Sequence, residues 1–313
     1  MLVATNNQRR QVGEDAVKSE KHGAAAGDGG KPDNPDWTID QGWDGYTAAE
    51  HHVWKTLFER QGKLLPGRAC DEFIKGLGSL TLDADRIPDF RRLSDVLAKR
   101  TGWQVVAVPG LVPDEVFFDH LANRRFPAGQ FIRRPDQLDY LEEPDVFHDV
   151  FGHVPMLMHP VFADYMQAYG VGGLRAGKLG VLANLARVYW YTVEFGLIEQ
   201  DGIEQADGLR IYGSGIASSH AETLFALDDT SPNRVRFDVE RVMRTRYRID
   251  DFQETYFVIQ GFDELLDLAW IDFGPIYDRV KGQREIEPGV VLATDRAITR
   301  GTGAYHHGGK RAG

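Results

Sequence analysis

The stretch Pro144-Asp145-Val146-Phe147-His148-Asp149-Val150-Phe151-Gly152-His153-Val154-Pro155 sets two histidines five residues apart in a largely apolar run. On a regular α-helix five residues pass about 140° beyond a full turn, so His148 and His153 would face different directions. For the pair to share one ion, a helix entered through an Asp145 N-cap has to end between them. Gly152 suits a left-handed residue at a helix end, and Pro155 prevents the helix from resuming, so the chain can swing His153 back beside His148. The His-Glu-x-x-His zinc motif differs, because its four-residue spacing works on an unbroken helix. The competing reading is a pair of hydrogen-bonded core histidines.

Further along, Val188 to Ile198 reads Val-Tyr-Trp-Tyr-Thr-Val-Glu-Phe-Gly-Leu-Ile, with Glu194 as its only charge. An ionised carboxylate in a helix that is apolar on nearly every side is costly unless it is paired or bound to metal. Two neutral imidazoles and one carboxylate on one face of a coordination sphere, with the opposite face open, form the donor set of non-haem Fe(II) oxygenases. A buried Glu to Arg pair is the alternative for Glu194.

The rest of the 313-residue chain fits a globular enzyme: 42% hydrophobic and 11% aromatic residues supply a sizeable core. With 36 Lys plus Arg against 47 Asp plus Glu, the net charge of -11 argues against a nucleic-acid backbone or an anionic membrane surface as main partner. A small-molecule substrate is expected. The single cysteine, Cys70, excludes a multi-thiolate metal site and suits a reducing compartment. No apolar stretch approaches the roughly 18 residues of a membrane span, which points to the cytoplasm.

Residues 1–35 are Gly-rich and polar and are expected to be disordered. Helical periodicity appears over about Tyr46 to Gln61, Cys70 to Leu77 and Pro88 to Thr101. Short strands are expected at Trp103 to Val108 and Gln130 to Arg133, separated by a helix capped by Asp114. Beyond the histidine motif, the pattern predicts helices at Val161 to Tyr169, Leu179 to Leu197, Ser218 to Leu227, Asp238 to Thr245 and Phe262 to Trp270. A hairpin arm at Gly208 to Tyr212 and a strand at Thr255 to Ile259 complete it. The expected fold is mainly α with a few short β-strands: one catalytic domain over 36–285, then a mostly flexible tail over 286–313.

Three blocks carry a family resemblance: Pro144 to Leu157, Tyr189-Trp-Tyr-Thr-Val-Glu-Phe-Gly-Leu197 and Tyr212-Gly-Ser-Gly-Ile-Ala-Ser-Ser-His-Ala-Glu222. In this order, within about residues 100 to 260, they resemble the pterin-dependent aromatic amino acid hydroxylases, above all the bacterial members that act on phenylalanine. The resemblance implies that His148, His153 and Glu194 ligate Fe(II). It also implies that a tetrahydropterin such as tetrahydrobiopterin lies between the Phe117 ring and backbone groups of Gly110, Leu111 and Val112, near Asp149 and Tyr189. Arg133 would take the substrate carboxylate, a task suited to a planar guanidinium fork. Pro144, Trp190 and Gly215 would wall the aromatic ring, and Ser218 would hydrogen-bond His148. Glu142 stands where animal members carry a threonine that helps hold the substrate.

The implied reaction is hydroxylation of L-phenylalanine to L-tyrosine with O2 as co-substrate. Tryptophan or tyrosine hydroxylation by the same chemistry is the first alternative. A His/His/Glu zinc hydrolase and a non-catalytic metal-binding protein are further readings. With no regulatory domain ahead of Trp37 and no sustained heptad at the C-terminus, an unregulated monomer is expected.

Overall fold

The computed structural model describes residues 34–139, 143–200, 208–306 and 310–311. The N-terminal extension expected to be disordered, apart from residues 34–35, and the Glu142 position therefore lie outside the described residues. About 51% of the described residues are helical against 12% strand, which bears out the helix-dominated expectation. Among the described residues no helix is long and apolar enough to cross a membrane.

Helix α1, Ala48–Leu64, opens with a capping box in which Thr47 and Glu50 satisfy each other's backbone N–H groups. It is followed by α2, Asp71–Ser79, and α3, Phe90–Arg100. Strand β1, Gln104–Val108, pairs in parallel with β2, Arg125–Gly129, across helix α4, Asp114–Ala122. Two expectations shift here. The strand lies at Arg125–Gly129 rather than at Gln130 to Arg133, and Asp114 is the first helical residue, with Pro113 in the capping position and no side-chain cap bond.

The largest correction concerns the motif itself. No helix ends between the histidines. Phe147–His153 form a π-helical turn that runs straight into α5, Val154–Leu157, with Pro155 in its first turn. In a π turn the hydrogen bonds run from i to i+5, so the residue five positions on comes round above its predecessor. The wider turn thus does what a break was expected to do. Gly152 is not left-handed; a Cβ there would lie 2.9 Å from the Ser214 carbonyl and 3.2 Å from its Cβ, so the glycine admits a close neighbour. Phe147, Val150 and Phe151 are fully buried beneath the turn, each worth about 1.5–3 kcal/mol of burial against the cost of the irregular backbone.

Helix α6, Pro160–Leu179, is much longer than its apolar repeat suggested. The single helix expected from Leu179 to Leu197 is instead α7, Leu182–Tyr189, a second π turn at Trp190–Glu194, and strand β3, Leu197–Glu199. Further elements are β4, Leu209–Ile211; α8, Ser214–Ala217; α9, His220–Asp228; β5, Asn233–Arg236; α10, Val239–Arg244; β6, Thr255–Ile259; α11, Phe262–Trp270; α12, Phe273–Val280; and β7, Ala297–Thr299. They include a five-stranded sheet of order β4-β3-β6-β5-β7. Its central strand β6 is buried at all five positions and runs parallel to both neighbours, which explains its uninterrupted apolar sequence. The segment after residue 285, read from composition as a flexible tail, carries β7 as an edge strand antiparallel to β5, and Ile286 bridges to Thr245.

Candidate active site

The two π turns and α8 bring His148, His153 and Glu194 together. Nε2 of His148 and Nε2 of His153 are 3.3 Å apart, and they lie 3.5 Å and 3.3 Å from the two Glu194 carboxylate oxygens. Donors at right angles around one ion, each about 2.1 Å from it, are separated by about 3.0 Å, so the cluster has the dimensions of three adjacent ligands. Burial pushes the His148 imidazole down to about 3 and lowers that of His153, so both rings are neutral near pH 7. Neutral imidazoles beside a carboxylate are the state that binds a divalent cation.

Hydrogen bonding fixes which nitrogen of His148 faces the site. Ser218 Oγ donates its one proton to the Ser214 carbonyl at 2.7 Å, so at its 2.9 Å contact with His148 Nδ1 it accepts. Nδ1 therefore carries the proton and the Nε2 lone pair points at Glu194 and His153. Ser214 ties the other two members together, with its Oγ 3.0 Å from His153 Nε2 and 2.9 Å from Glu194 Oε2. Gly213 lets this segment press against the other π turn, since a Cβ there would fall 2.4 Å from the Glu194 carbonyl.

Asp149 is a second carboxylate near the pair, and ligand atoms of His148, Asp149 and His153 all lie within 4.8 Å of one another. Glu194 is the better third ligand, because it meets both Nε2 atoms, whereas Asp149 gives Oδ2 to the Gly129 N–H at 2.8 Å. Asp149 Oδ1 is buried without a hydrogen-bond partner among the described residues, and burial pushes this carboxyl up to about 7. It is a spare acceptor at the edge of the site.

Residues 44–269 match the family model of the biopterin-dependent aromatic amino acid hydroxylases. The chain belongs to that family. It is 64% identical over 277 residues to the phenylalanine-4-hydroxylase of Caulobacter vibrioides, an alignment covering 88% of this chain and 92% of that protein. It is 56% identical over 269 residues to the phenylalanine-4-hydroxylase of Chromobacterium violaceum, covering 86% and 89%. The iron- and phenylalanine-bound crystal structure of the Chromobacterium enzyme superposes with a TM-score of 0.80 at 54% identity, covering 86% of this chain and 96% of that one.

In this hydroxylase the remaining sequence-predicted residues fall into two contact groups. Phe117, on α4, is buried and meets the Tyr189 ring edge-on at 5.7 Å, and Tyr189 in turn lies 6.3 Å from the His153 ring. The Tyr189 hydroxyl is buried without a hydrogen-bond partner among the described residues. Gly110, Leu111 and Val112 form the loop between β1 and α4; Leu111 is exposed, and a Cβ on Gly110 would lie 2.8 Å from Glu143. A biopterin, as the family name requires, would find backbone groups, an aromatic ring and the two unused buried oxygens of Asp149 and Tyr189 here.

In the second group, Arg133 is held by Asp145 in a two-pronged pair, Nε to Oδ2 at 2.8 Å and Nη2 to Oδ1 at 2.9 Å. Burial would raise the Asp145 carboxyl, yet the Arg133 guanidinium and the backbone N–H groups of Arg133 and His148 keep it below its ordinary value. Nη1 of Arg133 has no protein partner among the described residues. Asp145 also accepts the His148 N–H at 3.0 Å, so it caps the π turn as the sequence suggested and fixes the arginine as well. Half-buried Pro144 precedes it. Trp190 opens the second π turn and packs on Phe195 and Tyr247, and Gly215 abuts the Phe195 ring, where a Cβ would come within 2.9 Å.

Sequence reasoning missed Ser214, the double role of Asp145, and Gln253, which accepts the Trp190 indole N–H at 2.8 Å. Ser214 stood within a quoted block, but a serine in a Gly-Ser-Gly run reads as a turn. Gln253 lies 63 positions from its partner, beyond the reach of any periodicity.

Proposed function

We propose that this chain hydroxylates L-phenylalanine to L-tyrosine, using O2 and a tetrahydropterin at an Fe(II) ion held by His148, His153 and Glu194. The observation that carries the reading is the buried meeting of two neutral imidazoles and one carboxylate at 3.3–3.5 Å, in a chain so similar to named phenylalanine-4-hydroxylases. Fe(II) and the reduced pterin together supply the electrons that activate O2. The chain's own residues bind, orient and exclude water.

Arg133 Nη1 takes the amino acid carboxylate, with the guanidinium held in place by Asp145. Pro144, Trp190 and Gly215 frame the side-chain ring and would orient it toward the group that His148, His153 and Glu194 would hold. Gly110, Leu111 and Val112 offer backbone groups to the pterin, Phe117 its ring, and Asp149 and Tyr189 their unused oxygens. Ser218 keeps the His148 proton on Nδ1. The enzyme works on a small molecule as a cytoplasmic monomer, a setting supported by the single buried thiol of Cys70 and testable by sedimentation.

Product analysis with phenylalanine, tyrosine and tryptophan supplied separately tests ring choice. Tyrosine from phenylalanine as the dominant product is expected. Preferred hydroxylation of tryptophan or tyrosine would reassign the substrate, and turnover of none would overturn the reading.

A further inference from the structure

Trp190 is 7% exposed, and its ring lies 4.7 Å from that of Phe195 and 4.3 Å from that of Tyr247, the latter nearly parallel at 19°. Ring contacts of this kind carry little directionality, so on their own they leave the position of the indole within its plane unspecified. One directional contact specifies it: the indole Nε1–H donates to Gln253 Oε1 at 2.8 Å.

Gln253 is itself immobilised. It is 2% exposed and sits in the loop between α10 and β6, where its Nε2 donates to the carbonyls of Arg248 at 2.9 Å and Asp251 at 3.4 Å. Its backbone N–H faces Glu222 Oε1 at 3.4 Å, an oxygen that also accepts from the Tyr256 hydroxyl. Turning the amide over would set its oxygen against two carbonyl oxygens and its NH2 against the indole N–H, so one orientation alone satisfies every group. The acceptor offered to Trp190 is therefore fixed in position by the loop.

We propose that Gln253 is a specificity-determining positioning residue: through the indole N–H of Trp190 it sets where the wall of the aromatic-ring pocket stands. The proposal rests on the reading above that Trp190 lines that pocket. Trp190 also opens the π turn that ends at Glu194, closed by the Phe195 N–H to Trp190 carbonyl bond at 2.9 Å. A shift of the indole thus moves the wall relative to the ion against which the ring must be aimed. Without the acceptor the indole relaxes, the pocket admits a larger ring, and phenylalanine is held less well in line.

The test compares Gln253→Met, which keeps the side-chain length and removes the acceptor, in the wild-type and Trp190→Phe backgrounds. The readouts are the ratio of kcat/KM for phenylalanine over tryptophan and the hydroxylated product formed per tetrahydropterin oxidised, with iron content measured alongside. In the wild-type background the ratio should fall about ten-fold, as for loss of one buried hydrogen bond, and coupling should fall with it at unchanged iron content. In the Trp190→Phe background, where no indole N–H exists, the same replacement should change the ratio by less than about two-fold. Equal falls in both backgrounds, or none in the wild type, would overturn the proposal. If Trp190→Phe itself leaves the ratio untouched, the placement of Trp190 on the ring fails instead, a separate result. Gln253→Asn keeps the amide but shortens its reach, and provides the same comparison should the methionine variant fold poorly.

Discussion

Replacing Ser218 by alanine should weaken iron binding although Ser218 does not touch the ion. In the wild type its hydroxyl accepts the His148 Nδ1–H at 2.9 Å while donating to the Ser214 carbonyl at 2.7 Å. Alanine leaves that N–H without its acceptor in a site where the serine is 5% exposed, a loss of about 1–3 kcal/mol. The imidazole can recover by moving its proton to Nε2, where the His153 nitrogen and a Glu194 oxygen wait at 3.3 Å and 3.5 Å. An ion must then displace this proton before it binds. The expected result is a 10–100-fold rise in the Fe(II) dissociation constant, or about 1.4–2.7 kcal/mol, with little change in the melting of the metal-free protein. Anaerobic titration against a competing chelator measures the first and circular dichroism the second. Unchanged iron affinity in Ser218→Ala would refute the tautomer argument.

Other substitutions separate roles in the same way. Arg133→Ala should raise the KM for phenylalanine, and it should also destabilise the fold by about 3–5 kcal/mol, because it strands the fully buried Asp145 carboxylate; a denaturant melt in which the variant matches wild type would contradict this. Glu222, on α9, has its carboxyl pushed up to about 7 by burial. Below about pH 4.5 folded and unfolded chains both hold that proton. As the pH rises from there through about 7 only the folded chain retains it, so about 3 kcal/mol of stability is lost across that window. Glu222→Gln should flatten the wild-type decline there, and parallel stability profiles for the two proteins would show that Glu222 does not titrate this way.

The fold was legible where local pattern and local structure agree. Thr255 to Ile259 reads as a buried strand because it is one, and Phe262 to Trp270 shows its helical stripe plainly. Strand β5 was invisible because its sequence, Asn-Arg-Val-Arg, looks like solvated loop. In the fold Arg234 is buried with its guanidinium satisfied by the Ala226 and Asp229 carbonyls and by Thr299, and Asn233 bonds Gly289 and Thr255. Thr255, Gly289 and Thr299 come from distant segments, and Thr299 belongs to β7, so the pairing of that C-terminal strand was hidden for the same reason.

The sequence singled out His148, His153 and Glu194, which the fold brings together, but it misjudged the geometry that gathers them. Five-residue spacing showed that a regular helix could not serve, and Gly152 with Pro155 offered a break as the simplest remedy. The chain widens its helix instead, a solution that leaves no turn residue to read. Glu194 sits at the end of a second π turn, which is why the helical repeat seemed to run on to Leu197. The resemblance named side chains, whereas the bonds that orient them, from Ser214, Asp145 and Gln253, depend on contacts only the fold creates.

The central claim is tested most directly by loading the protein anaerobically with Fe(II), adding phenylalanine, tetrahydropterin and O2, and measuring tyrosine while each component is omitted in turn. Tyrosine should form only with all four, and should be lost in Glu194→Ala. Tyrosine formation that persists without iron or pterin, or full iron content and rate in Glu194→Ala, would contradict the account.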